Sequence, residues 1–252
     1  MSTLINHPPA VFVVSLVILW LSVQIGGRVG RKLRPVHEDE REDLDLVVNA
    51  GLTLLALIIG FSFSMALGRY DQRKNYEEEE ANAIGTEYVR ADLLLPDDAA
   101  KVRQLLKDYL EQRLLFYTTR DSRELDQINN ETARLQDELW SSVRHAAQAQ
   151  PTPVTALAAA GMNDVLNRQG YTQAAWWNRI PVGAWGLMLL LSICCCVLVG
   201  YGAHRRGDLL FMALPLLISL AFFFIADIDS PRRGVIRVVP RNLISLSESL
   251  KR

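Results

Sequence analysis

Cysteine is scarce in this sequence and poorly placed for chemistry. The chain has 252 residues and three cysteines, and Cys194, Cys195 and Cys196 stand side by side in an apolar run. Adjacent positions suit neither a disulfide framework nor a zinc site with ligands spaced along a loop. What remains is small apolar residues packing in a helix. Net charge is nearly absent too, -1 at pH 7, which excludes a strong global pull on nucleic acid. The four histidines, His7, His37, His145 and His204, are scattered over distant parts of the chain. With no nucleotide-binding loop, no Ser-His-Asp constellation and no metal pair, the sequence offers no catalytic residues and does not read as an enzyme. Alternating apolar and polar runs, internal repeats and low-complexity linkers are also missing, so nothing points to β-structure.

Long apolar runs are abundant. Half of the residues are hydrophobic and 22% are charged, and about 20 residues of helix cross roughly 30 Å of hydrocarbon. Four runs meet that length: Pro9 to Ile25, Leu44 to Leu67, Ile180 to Ala203 and Leu209 to Ala226. The first is charge-free, ends at Gly26, Gly27 and Arg28, and is followed by basic residues rather than a small-residue cleavage pattern. It reads as a retained anchor and not as a signal peptide. Trp176, Trp177 and Trp185 bracket the start of the third run, where amphipathic rings prefer the interface. The resulting division is 1–68 for spans one and two, 69–178 for an extramembrane domain, 179–228 for spans three and four, and 229–252 for a tail. Basic residues near the span ends number nine on the middle-domain side and seven on the other, so charge alone hardly orients the chain.

The middle region reads as helices throughout. From Leu67 an apolar or small seam runs through Tyr70, Ala81, Ile84, Tyr88, Ala91 and Leu95 at three- and four-residue steps, which extends the second span out of the membrane as one rod until Pro96 ends it. The aspartates of "PDD" then cap a helix striped by Val102, Leu105, Leu106, Tyr109, Arg113 and Phe116. Leu125, Ile128, Thr132, Leu135, Leu139, Val143 and Ala146 stripe the next. Thr152 at a cap and Pro153 in a first turn open another. The fold class is all-α: a four-span helical membrane protein with an extramembrane helical domain between spans two and three.

Two features of the second rod carry possible function. Glu77, Glu78, Glu79 and Glu80 point all round a helix and have no histidine near them, so a solvated or salt-bridged face accounts for them better than a metal site. Asn49, Thr53, Gly60, Ser64 and Gly68 fall near one stripe. Such a stripe avoids lipid, either by close packing against another helix or by lining a water-filled path.

The stretch "IIGFSFSMALGRYDQRK" resembles the bestrophin signature through Gly60, Phe61, Ser64, Arg69, Tyr70, Arg73 and Lys74. "ADIDSPRRG" after the fourth span resembles the acidic turn that follows the last crossing in bacterial bestrophins, and the order of parts is the same. Over most of residues 44 to 250 the chain is similar to a bacterial bestrophin-like family of unknown function, with "RYDQRKNYEEEEANAIGTEYVRADLL" and "RIP" as further marks. The resemblance implies a homopentamer in the inner membrane, with the termini and middle domain in the cytoplasm and the second span around an anion pore. Carried over, the constriction falls on Phe61, Leu57 and Thr53, where threonine departs from the apolar pattern and shortens the dewetting gate. Arg69, Arg73 and Lys74 are then placed to attract inorganic anions beyond it. No cofactor is required. Calcium is a possible ligand of Asp227 and Asp229, although two carboxylates are thin coverage for an ion that takes six to eight oxygens. The competing reading is a non-conducting scaffold or sensor, which exposed apolar patches on the Leu125 to Ala146 helix would support.

Overall fold

The structure, a computed structural model, describes residues 6–33, 38–202 and 210–251. Arg34, His37, His204, Arg205, Arg206 and the expected run ends Ala203 and Leu209 lie outside them. Eight α-helices make up the described chain: α1 (Pro8–Leu33), α2 (Glu38–Arg90), α3 (Pro96–Thr118), α4 (Ser122–Ala149), α5 (Pro153–Trp177), α6 (Val182–Gly202), α7 (Leu210–Asp229) and α8 (Arg241–Ser249). Among the described residues there is no strand. Residues 1–69 with 179–237 form one compact unit, and residues 70–178 with 238–252 form another. The segment after the fourth span is thus divided between the two.

Among the described residues four helices are long and apolar enough to cross a membrane, and the first unit holds α1, α6, α7 and the earlier part of α2. Helix α1 does not stop at Gly26. It continues to Leu33, because the glycines are contact surfaces rather than terminators. A Cβ on Gly26 would collide with the Val197 carbonyl of α6, one on Gly200 with the Val23 carbonyl of α1, and one on Gly30 would lie 2.7 Å from the Tyr201 carbonyl oxygen. Close backbone approach through small residues is how helices gain packing where lipid supplies no hydrophobic drive. Helix α7 packs Phe222 and Phe223 edge-on against Trp185 and Phe12, with ring centroids 6.0 and 6.3 Å apart.

Helix α2 is one uninterrupted helix of 53 residues, about 80 Å at 1.5 Å per residue. Within its residues 41–69 only Leu55, Ser62 and Ala66 are buried. Gly51 meets Cys195 of α6 at 3.1 Å from a would-be Cβ, and Leu44 reaches Gly202. Only 11% of the apolar window of α2 is covered within one chain, against 39% for α1 and 50% for α7.

The second unit packs α3, α4 and α5 with the later part of α2 around Ile84, Leu106, Tyr109, Leu139 and Met162, with Val238 and Leu243 closing one side. The α4 stripe that a scaffold reading needs on the surface is inside this core. Caps account for the helix starts. Asp121 accepts from the Arg123 N–H at 2.8 Å, and Thr152 exchanges hydrogen bonds with Thr155 in a capping box. The expected aspartate cap at "PDD" is absent. Leu95 is the N-cap and makes no side-chain bond, Pro96 opens α3, and Asp97 and Asp98 sit in its first turn, where they favour the positive end of the helix dipole. The rod itself ends earlier than Pro96, in a 3₁₀ turn at Ala91–Leu93. Trp176 is a core residue and not an interface anchor, its ring tilted 60° against Phe116 at 4.9 Å between centroids, whereas Trp177 is exposed.

Candidate functional site

The two faces of α2 have opposite characters. With about 100° between successive residues, Leu55, Ser62, Ala66, Arg73, Glu77, Glu80, Ile84, Glu87 and Ala91 fall along one line, and all are buried. Thr53, Leu57, Gly60, Phe61, Ser64 and Gly68 fall on the other side, and all are exposed. Leu57 and Phe61 are 53% and 62% exposed. Around Gly60 and Gly68 no atom comes within 4 Å of a would-be Cβ. Thr53 donates its hydroxyl to the Asn49 carbonyl at 2.8 Å, which satisfies the donor and leaves an oxygen outward. Among the described residues of the first unit, no other helix packs on this stripe at Gly60 or Gly68.

The basic trio is split by the same geometry. Lys74 is exposed and Arg69 half-buried, but Arg73 is 1% exposed. Arg73 therefore does not face solvent beside the strip; it is seven residues, about two turns, beyond Ala66 and shares its face. Tyr70 lies against the core of the second unit.

The four glutamates divide their work. Glu77 accepts from the backbone N–H groups of Asn242 and Leu243 at 2.9 and 3.0 Å and from Asn242 Nδ2 at 2.7 Å. It thus supplies from α2 the cap that α8 lacks in its own sequence, since Pro240 makes none. Glu78 is exposed, and Glu79 pairs with Arg168 at 2.6 Å. Glu80 is fully buried with Arg113, which donates Nε to it, and Tyr117 and Thr172 donate hydroxyls to its other oxygen at 3.3 and 3.1 Å. Of the solvated or salt-bridged face expected here, Glu78 is the solvated part and Glu79 and Glu80 are the salt-bridged part. Burial draws the Arg113 guanidinium down, yet the Glu80 carboxylate, together with Tyr109 and Tyr117 beside it, holds Arg113 above its ordinary value. Burial first, and Glu80 second, push the Tyr109 and Tyr117 phenols up.

The apolar seam passes over Glu87, which lies seven residues after Glu80 and on its face. Its side chain is buried and, among the described residues, neither oxygen has a hydrogen-bond partner; a Cβ on Gly161 would collide with Oε2. Burial pushes this carboxyl up to about 8, against the pull of Arg90 and with the help of Asp164. Arg113 had a visible signal in the sequence, an arginine within an otherwise apolar stripe.

Asp227 and Asp229 anchor turns. Asp227 accepts from the Val235 and Ile236 N–H groups at 2.7 and 2.8 Å. Asp229 takes the Ile180 N–H at 3.3 Å on each oxygen, with Arg179 Nε 3.5 Å away. Carboxylates already committed to these donors do not fit a calcium ion. Among the described residues no cluster of three or more metal-ligating side chains forms. The "RIP" and "ADIDSPRRG" marks are thereby two halves of one tether.

A family model described as a bestrophin-like domain matches residues 10–243. The chain belongs to the bestrophin-like family. Three crystal structures of a bacterial bestrophin homologue from Klebsiella pneumoniae, two of them of mutants, share its fold. The two mutants match with TM-scores of 0.64 and 0.65 at 13% identity, covering 95% and 94% of this chain and 97% of theirs. The third matches at 0.62 and 14%, covering 94% and 97%. No curated protein matches the chain. This bestrophin-like chain is accordingly a helical multi-pass membrane protein, and the marks that identify it lie on the buried face of α2 as much as on its exposed strip.

Proposed function

We propose that copies of this bestrophin-like chain assemble, as a homopentamer, around an ion pathway walled by the exposed strip of α2, with Leu57 and Phe61 as its narrow apolar part and Thr53 beside them. The termini and the helical unit stand on the cytoplasmic side of the inner membrane. One observation carries the reading: in a helix with almost no cover from its own chain, the side opposite the buried line bears Thr53, Gly60, Ser64 and Gly68, residues that gain nothing from lipid and suit either water or a close neighbour. Leu57 and Phe61 within that strip give a constriction able to gate by dewetting. The scaffold alternative loses its main support, because the α4 stripe is core.

The test is flux. Purified protein in liposomes passes salt, and Phe61→Ala enlarges the leak. A well-folded oligomer that passes none returns the protein to the scaffold class.

A further inference from the structure

Between α2 and α5, within the helical unit, lies an open cavity of about 300 Å³. That is the lower end of the range, about 300–1,000 Å³, that small-molecule sites occupy. Four charged side chains line it: Glu79, Arg90, Asp164 and Arg168. Two of them cancel, because Arg168 binds Glu79 at 2.6 Å. The other two do not. Among the described residues neither the Arg90 nor the Asp164 side chain makes an ion pair or a hydrogen bond. Gly161 decides where these charges stand. A Cβ there would lie 2.6 Å from Arg90 Nη1 and 3.1 Å from its Cδ, so the arginine reaches α5 only because this position is glycine. Asp164 follows one turn later, about 4.5 Å along α5. Glu87 lies under the same glycine with both oxygens buried and, among the described residues, unpartnered. The charged groups that act on it are Arg90, from its own helix, and Asp164, from α5. Burial keeps this carboxyl protonated up to about pH 8, which leaves the charge of Arg90 unopposed.

We propose that this cavity binds a free α-amino acid, its carboxylate on Arg90 and its ammonium on Asp164, with Asn82 and Thr86 of α2 beside it as hydrogen-bonding groups. Two opposite charges that share a cavity without joining are complementary to a molecule that carries both signs a short distance apart, and an α-amino acid bears its two on one carbon. Each contact is a charge-assisted hydrogen bond, and the guanidinium can hold a carboxylate through two parallel bonds. Single-sign ligands fit worse. A carboxylate alone brings its charge beside Asp164 with nothing to offset it, and an amine alone meets Arg90, so the pair of charges selects against both. The Glu79–Arg168 bridge closes one end of the cavity and adds no net charge. The site stands whether or not α2 walls an ion pathway.

The experiment is calorimetric titration of the full-length protein in detergent with L-alanine, L-serine and L-glutamine, against propionate and ethylamine, which each keep one of alanine's two charged groups. At least one amino acid is expected to bind with a millimolar or lower Kd. Propionate and ethylamine should bind about tenfold more weakly, since each forgoes a hydrogen-bonded charged partner. Asp164 is exposed, so Asp164→Asn should leave the fold intact, weaken the amino acid about tenfold and leave propionate no weaker. Raising the pH through about 8 should lower the affinity as Glu87 ionises beside Arg90, and Glu87→Gln should flatten that fall. A well-folded protein that takes up none of the three amino acids overturns the proposal. So does propionate binding as tightly as they do, or Asp164→Asn without effect. Flux through liposomes bears on the pathway alone, so the two readings fail separately.

Discussion

Removing one partner of the Glu80–Arg113 pair should weaken the helical unit far more than removing both. Each side chain is fully buried, and Glu80 also receives the Tyr117 and Thr172 hydroxyls. In Glu80→Gln the charge of Arg113 stays, stacked over Phe116 with its guanidinium carbon 4.3 Å from the ring centroid, while its counter-charge is gone. Breaking a buried pair in this way costs about 3–5 kcal/mol. For a chain of this size that is on the order of 10 °C in melting temperature, at about 2–4 °C per kcal/mol. Arg113→Met strands the Glu80 carboxylate and should cost a similar amount. The double variant Glu80→Gln with Arg113→Met leaves no buried charge, so it should recover most of the loss. The assay is thermal unfolding of the full chain in detergent followed by Trp176 fluorescence, because that ring lies 4.9 Å from Phe116. Single variants that melt within about 1 kcal/mol of the parent, or a double variant that merely sums the single losses, would refute the reasoning.

Glu87 makes stability depend on pH in the direction opposite to most carboxylates. Its folded value of about 8 stands above the ordinary 4.5, so its contribution is complete below about pH 4.5 and is lost as pH rises toward and through 8. At about 1.4 kcal/mol per tenfold in proton affinity, the ceiling is about 5 kcal/mol. Glu87→Gln should flatten this part of a melting-temperature profile taken across the window, and an unchanged slope would remove Glu87 as its source. Glu77→Ala deletes the acceptor of three hydrogen bonds at the start of α8. Losing a cap costs about 1–2 kcal/mol, so limited proteolysis should cut the chain between Val238 and Asn242 several-fold faster, with α4 and α5 still protected.

The helices were legible because their signals are local. Spans show as unbroken apolar length, and the α3 and α4 stripes as three- and four-residue spacing. Thr152 and Pro153 announce a start that needs nothing from elsewhere in the chain. The buried line of α2 was misread for the converse reason. The apolar seam traced from the sequence kept Tyr70, Ala81, Ile84 and Ala91 but passed over Arg73, Glu77, Glu80 and Glu87, which lie on that same line. Apolar periodicity cannot register a buried charge whose partner is remote. Arg113 is 33 residues from Glu80, and the α8 backbone that Glu77 caps is 165 residues away. The glycines of α1 misled in a similar way. Gly26 and Gly30 look like a helix end until Val197 and Tyr201 of α6 are seen against them.

The run of four glutamates therefore marks the family for a reason separate from conduction. Glu77 and Glu80 secure α8 and α3 to α2, Glu79 secures α5 through Arg168, and Glu78 alone looks outward. On the proposed reading α2 walls a pathway on one side and carries its support on the other, so one helix has to keep both registers at once. One residue inserted between Phe61 and Glu77 turns the later residues of α2 by about 100° about the helix axis against the earlier ones. Substitutions on the buried line should accordingly appear as loss of stability with flux intact in whatever protein survives. Changes at Thr53, Leu57 or Phe61 should alter flux at unchanged melting temperature. If Phe61→Ala and Glu80→Gln moved both quantities together, the two faces would not be independent, and α2 would be packed in the assembly on the side now read as open to water.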